Sequence, residues 1–137
     1  MILVDTGPLV ALFDPRDAEH GRCRRVLREI REPMATTVPV LTEAFHMLSP
    51  GSRGSDRLRD FIAAEGLGVS FMTAPNLVRA FELMERYADH PMDLADASLI
   101  VAAETLGTRK VFTIDRDDFT AYRIRRGHRH QAVDIIG

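Results

Sequence analysis

Apolar and polar positions along this chain fall into blocks that read as short buried strands separated by helices. Met1 to Val4 is apolar throughout and stops at Asp5-Thr6-Gly7-Pro8. A run with no position to face water predicts a strand buried on both sides of a parallel sheet, with Asp5 at its carboxyl end. Thr6 and Gly7 supply a tight turn, Pro8 suits a first helical position, and Leu9 to Phe13 predicts a short apolar helix broken by Asp14-Pro15. From Asp17 to Glu32 the apolar residues Cys23, Val26, Leu27 and Ile30 recur at helical spacing, with Arg22, Arg25, Arg28 and Arg31 turned elsewhere. This is the pattern of an amphipathic surface helix, ended by Pro33. A second strand is expected over 34–38. A helix follows from Pro39, carrying Glu43 in its early turns and Val40, Leu41, Ala44, Phe45 and Leu48 for its buried face.

The stretch from Pro50 to Ser55 is a loop by composition. Helix resumes to about Glu65, and a Gly66-Leu67-Gly68 turn leads into a third strand near Val69 to Met72. Leu77, Phe81, Leu83, Met84 and Tyr87 predict a helix over 76–88, terminated at His90-Pro91. The run PMDLADASLIVAAETLGTRKVFTIDRDDF, residues 91–119, reads as a helix opened by Asp93 and Asp96, then a buried strand over Lys110 to Ile114 that delivers Asp115 at its end. Residues 122–130 are basic, and 132–136 predicts a last strand. Strand and helix alternate with no repeat and no long linker. The expectation is one domain over 1–137, a three-layer α/β/α sandwich around a mainly parallel five-stranded sheet with right-handed crossovers.

Composition narrows the setting more than the chemistry. With 137 residues, 45% hydrophobic and 28% charged, the chain can bury a core without disulfide or metal staples. Cys23 is the lone cysteine, which excludes an internal disulfide framework and fits a reducing compartment. No apolar run reaches the roughly 18 residues of a membrane span, and no signal-peptide pattern stands at Met1. The cytoplasm is therefore the expected location, with no membrane contact. The net charge of −2 does not mark a strongly basic nucleic-acid binder. Charge is segregated all the same: arginines gather at 16–31 and 123–129, aspartates at 93–118.

Asp5, Glu43, Asp96 and Asp115 all fall where strands end or helices begin, with Asp93 and Asp117 close by. In open parallel sheets, sites form outside the carboxyl ends of the strands. Two carboxylates ~4 Å apart at an effective dielectric of ~20 repel by about 4 kcal/mol, so a converging set takes up protons or a divalent cation. Oxygen ligands without a His or Cys cluster select Mg²⁺ or Mn²⁺ over zinc. Such an ion keeps waters, one of which becomes acidic enough to attack a phosphodiester. No Gly-rich phosphate loop and no Ser/His/Asp arrangement offers another route.

Taken in order, VDTGPLVALFD, the Thr42-Glu43 pair, DLADASLIVAAETLG and TIDRDDF resemble the PIN-domain family, most closely the VapC-type toxins of toxin–antitoxin pairs. The resemblance spans nearly the whole chain and rests on the ordered set of motifs. It implies a Mg²⁺- or Mn²⁺-dependent endoribonuclease, strand order 3-2-1-4-5, an RNA substrate, a homodimer, and a cognate VapB-type antitoxin that covers the site. Asp5, Glu43, Asp96 and Asp115 match the family's acidic quartet, with Asp93 and Asp117 as variable additions. Thr6 matches the small hydroxyl residue that supports it.

Other readings of the same residues stand beside these. Asp93 can equally be a helix N-cap, and Asp115 can open a turn. Arg123, Arg125, Arg126 and Arg129 can hold RNA phosphates or be plain surface charge. His128 and His130 read as a solvated turn, and Cys23 as core. A phosphatase using Asp5 as nucleophile needs a second acid two residues on, where Gly7 stands. The rival from another class is an RNA-binding or regulatory module that does not cleave.

Overall fold

The computed structural model describes all 137 residues. Its elements run β1 (Ile2–Val4), α1 (Thr6–Phe13), α2 (His20–Glu29), β2 (Met34–Thr37), α3 (Val38–Leu48), α4 (Arg53–Ala63), β3 (Gly68–Ser70), α5 (Ala74–Arg86), α6 (Leu94–Leu106), β4 (Lys110–Phe112), α7 (Arg116–Ala121), β5 (Arg123–Arg126), β6 (Arg129–Ala132) and β7 (Asp134–Ile136). Five strands form one parallel sheet in the order β3-β2-β1-β4-β7. With β7 as the fifth member, this is the expected 3-2-1-4-5 arrangement, flanked by helices. The order reverses beside β1, so Asp5, at the carboxyl end of β1, lies where a crevice opens between diverging connections.

Helix α6 is the central support. Ala95 and every residue from Ala97 to Ala103 are buried, because α6 packs against β1, β2, α3, α5 and β5 together. Small side chains allow that approach from several sides. The one polar side chain in the run, Ser98, meets Thr37 Oγ1 at 2.6 Å and donates to the Ala95 carbonyl at 2.7 Å, so no hydrogen-bonding group is stranded. Thr37 is also the N-cap of α3, which ties the starts of α3 and α6 together. Gly107 takes the left-handed conformation, φ 70°, that ends α6.

Two expectations are corrected. The stretch 122–130, read only as basic with a solvated turn at His128 to His130, holds the antiparallel hairpin β5/β6, closed by Gly127 and His128 with Gly127 at φ 61°. A Gly-first two-residue loop suits a tight hairpin. Of β5 only Ile124 is buried, so its alternation is reduced to one inward residue among arginines and does not stand out as a strand pattern. The last strand accordingly begins at Asp134, not at 132. The second correction concerns α5. Its inward stripe is Ala80 and Leu83 with Met84 and Tyr87 half-buried, whereas Leu77 and Phe81 face outward beside Val78.

The β5/β6 hairpin is fastened to the layer of α5 and α6 by a partly buried ion pair. Arg79 donates to both Glu104 oxygens, at 3.0 and 3.1 Å, and Glu104 also accepts the Arg125 amide at 2.8 Å. The side chains are 15% and 12% exposed, so solvent screens the pair little. Glu104→Ala leaves the guanidinium only the more exposed Glu82, 3.3 Å from its Nη1, leaves the Arg125 amide without its acceptor, and is expected to cost about 1–3 kcal/mol. The check is a lowered urea midpoint at an unchanged slope.

Candidate active site

Asp5 is the N-cap of α1, its carboxylate accepting the Thr6 amide at 2.8 Å through Oδ1. Its other oxygen accepts the Thr113 hydroxyl at 2.8 Å, and Thr113 Oγ1 in turn accepts the Asp115 amide at 3.0 Å. Thr113 thus joins the end of β1 to the turn after β4. Gly7 lets those segments approach: a Cβ there would stand 2.7 Å from the Ile114 side chain. The Thr6 hydroxyl donates to Glu43 Oε1 at 2.8 Å, bringing in the acid from α3. Asp93 caps α6 by accepting the Asp96 amide at 2.8 Å. One turn further in, the Asp96 carboxylate accepts the Tyr122 hydroxyl at 2.8 Å.

These side chains open into one cavity of about 330 Å³ lined by Asp5, Thr6, Gly7, Glu43, Met47, Pro91, Asp93, Asp96, Ile114, Asp115 and Asp118. Six of the lining residues are acids and none is Lys or Arg. The predicted quartet and Asp93 are therefore brought together. Asp117 is not: it faces solvent on α7, and Asp118 takes the place at the cavity wall. Asp115 caps α7 by accepting the Asp118 amide at 3.3 Å, so Asp93 and Asp115 are both caps and cavity-lining acids. A second cavity of about 420 Å³, lined by Val38, Pro39, Thr42 and Leu94 among others, shares Glu43 and Asp93 with the first.

The electrostatic cost of the gathering shows in the carboxylates. Burial pushes Asp5 from an ordinary 3.8 up to about 6, against the pull of its Thr113 and Thr6 hydrogen bonds, and the charges of Asp115 and Glu43 add to the rise. Asp96 is pushed up to about 7, first by burial and then by Asp93, Asp5 and Asp118, with the Tyr122 hydrogen bond opposing. Asp115 is raised by burial and by Asp118 and Asp117. A cation in the cavity would relieve this repulsion. The donor set is oxygen only, which suits Mg²⁺ or Mn²⁺. No group of three or more His, Cys, Asp or Glu side chains stands ready to enclose an ion directly. That spacing fits a hard cation held through one or two carboxylates with waters filling the other positions.

Three polar residues at the site escaped the sequence reading. Thr113 looks like an ordinary strand residue, although its place two before Asp115 is a signal. Asp118 is three residues past the α7 cap, in helical reach of Asp115. Tyr122 reads only as the start of a basic segment. The hairpin arginines do not ring the cavity. Arg123 donates to the Thr120 and Tyr122 carbonyls, and Arg126 to the Gly107 carbonyl beyond the far end of α6. At 1.5 Å per residue, Gly107 is about 16 Å along the axis from Asp96. Arg125 and Arg129 are exposed, as are His128 and His130, and Cys23 is buried core.

Residues 2–125 match the PIN domain as a protein family. The chain belongs to the PIN-domain family. Among curated relatives, this PIN domain is similar to Ribonuclease VapC26 of Mycobacterium tuberculosis, 22% identical over 134 residues that cover 96% of this chain and 99% of the relative. Its fold is also that of the crystal structure of M. tuberculosis VapC20, a sarcin-ricin loop cleaving toxin. There the TM-score is 0.78 at 23% identity, over 86% of this chain and 92% of the other. A toxin–antitoxin complex from Klebsiella pneumoniae superposes with a TM-score of 0.68 at 19% identity, over 88% and 92% of the two chains. At such identities the superpositions establish the fold of the PIN domain. Its chemistry is argued from its own acids.

Proposed function

We propose that this PIN domain is an endoribonuclease that works with Mg²⁺ or Mn²⁺ and acts as the toxin of a VapBC-type pair. The observation that carries the reading is the cavity itself: six acids and no Lys, Arg or His in its lining, Asp118 alone meeting a base from outside it (His90 Nε2, 2.6 Å), with Asp5 and Asp96 both raised by burial and by their neighbours. Nothing in a purely structural core requires that arrangement, and self-repulsion opposes it. Asp5, Glu43, Asp96 and Asp115 are the proposed catalytic acids, one or two of which would hold the ion directly and the others, with Asp93 at the cap of α6, through its waters. When bound, the ion acidifies a water and neutralises charge developing on the phosphoryl oxygens.

The chain's own part is positioning. Thr6 and Thr113 hold Glu43 and Asp5 by neutral hydroxyl donors, so the oxygens are oriented without cancelling their charge. Asp5 is the most buried of the acids, with Asp96 partly buried and Asp115 exposed in the same lining, so a phosphodiester would approach from the solvent side on which Asp115 stands. The neighbouring apolar cavity beside Val38 and Leu94 offers a place for a base or ribose next to the scissile phosphate. RNA reaching Arg125 and Arg129 would run along the side of α6.

The partner part of the proposal is a cognate antitoxin and a homodimer. Support for the antitoxin comes from the relatives: VapC26 is named a ribonuclease, and similar folds include toxin–antitoxin complexes. The experiment is incubation of the purified protein with structured RNA in Mg²⁺ or Mn²⁺, with chelator as control. Expected is cleavage only with the ion, at ends free of 2′,3′-cyclic phosphate because water and not the ribose 2′-hydroxyl is the nucleophile. Intact RNA with retained Mn²⁺ binding would point instead to a module that holds RNA without cutting it.

A further inference from the structure

Tyr122 is completely buried at the junction of α7 and β5, and its ring is gripped by three others from different segments. Tyr87 at the end of α5 meets it edge-on at 5.2 Å, Phe119 of α7 at 5.2 Å, and His90 of the following loop at 5.9 Å. The Tyr87 hydroxyl also accepts the Arg123 amide at 3.0 Å, which locks the backbone next to Tyr122. A ring so confined delivers its hydroxyl to one place. That place is Oδ2 of Asp96, at 2.8 Å. Asp96 Oδ1 has no hydrogen bond within the protein, and Asp96 lines the acidic cavity, so one oxygen is restrained while the other is left to the cavity.

We propose that Tyr122 is a positioning residue that sets the orientation of Asp96 for the cation, an inference that rests on the nuclease reading above. The phenol suits the task on chemical grounds. Its donor is neutral, so Asp96 keeps the charge an ion needs, whereas Lys or Arg at that point would form a salt bridge and cancel it. The plainer account is that a buried tyrosine needs an acceptor and takes the nearest one. The two accounts differ in what happens when only the hydroxyl is removed.

Tyr122→Phe keeps the ring and its three aromatic neighbours, so the fold is retained. Calorimetric Mn²⁺ affinity is expected to fall about 10-fold, the size typical of losing a group that orients a metal ligand. RNA turnover should show a lower kcat at little-changed KM, because substrate contacts are untouched. In the Asp96→Asn background, Tyr122→Phe should produce no further loss of Mn²⁺ affinity, since the group it orients is already gone. Unchanged Mn²⁺ affinity and kcat in Tyr122→Phe, with or without lower melting, would overturn the inference while leaving the nuclease standing. Weakened Mn²⁺ binding in a parent that cuts no RNA would uphold the orientation of Asp96 and sink the nuclease reading alone. A parent that binds no Mn²⁺ overturns both.

Discussion

Asp5→Asn and Asp96→Asn should each lower the rate of RNA cleavage by about 10²–10³-fold or more, the scale on which losing one preorganised electrostatic group is felt, and neither should unfold the protein. The amide is nearly isosteric, so the packing around β1 and α6 is kept. At Asp5 the Thr6 amide still finds an acceptor in the Asn carbonyl, and the Asn amino group can donate to Thr113. What is lost is charge at the most buried of the cavity's acids. The informative signature is opposite movement of two measurements: cleavage falls, while the melting temperature of the metal-free protein at pH 7.5 rises. Loss of activity accompanied by lower melting would mean the substitutions act by damaging the fold. Parent-like cleavage by both variants would remove these acids from the chemistry.

The metal-free protein should be markedly more stable near pH 5 than near pH 8. An acid whose pKa is raised by folding holds its proton more tightly in the native state than in the unfolded chain. Its contribution is fully present below the unfolded value near 3.8 and is lost as pH rises through about 6 for Asp5 and about 7 for Asp96. For Asp5, which is 7% exposed, the whole displacement corresponds to about 3 kcal/mol, of which roughly half is lost between pH 5 and pH 8, the rest having gone between pH 3.8 and pH 5. In a chain of this size that half is on the order of 5 °C in melting temperature, and Asp96 adds to it. The measurement is thermal unfolding in chelator at several pH values, repeated with Mn²⁺. An ion at about 100 times its Kd contributes about 2.7 kcal/mol, so Mn²⁺ should restore most of the loss at pH 8. Asp5→Asn should flatten the pH dependence. A melting temperature equal at pH 5 and pH 8 in chelator would show that the acids do not crowd one another in solution.

Much of this site was legible in the chain because two of its acids follow runs that have only one structural reading. Met1 to Val4 is apolar without relief, and Lys110 to Ile114 carries Val111, Phe112 and Ile114 at strand length, so each reads as a buried parallel strand, and an acid just past such a strand falls at the site edge of the sheet. Asp93 and Asp96 were placed by the opening of a helix whose apolar run continues to Ala103. Glu43 carried no signal of its own. It lies on an ordinary helix and belongs to the site only because Thr6, far away in the chain, donates to it. The distinction between Asp117 and Asp118 was also out of reach, since both fit the first turn of a helix and only the rotation of α7 decides which one meets the cavity.

The hairpin shows the limit in another way. Period-2 patterning is visible when one face is apolar over several residues, and Arg123 to Arg126 has a single inward residue, Ile124. Its pairing with β6 and the Arg79–Glu104 anchor are contacts across the chain that local patterning cannot express. The same holds for Leu77 and Phe81, whose spacing fits a buried stripe yet faces outward.

By itself, then, the order of residues determined the alternation of strand and helix, the parallel sheet and the positions of Asp5, Asp96 and Asp115, because burial on both faces and helix capping are local demands that leave local marks. Only the tertiary structure decided that Thr113 links Asp5 to Asp115, that Asp118 and not Asp117 lines the cavity, and that Tyr122 holds Asp96. Those are hydrogen bonds and orientations across long separations, and they are set by how packed elements rotate against one another.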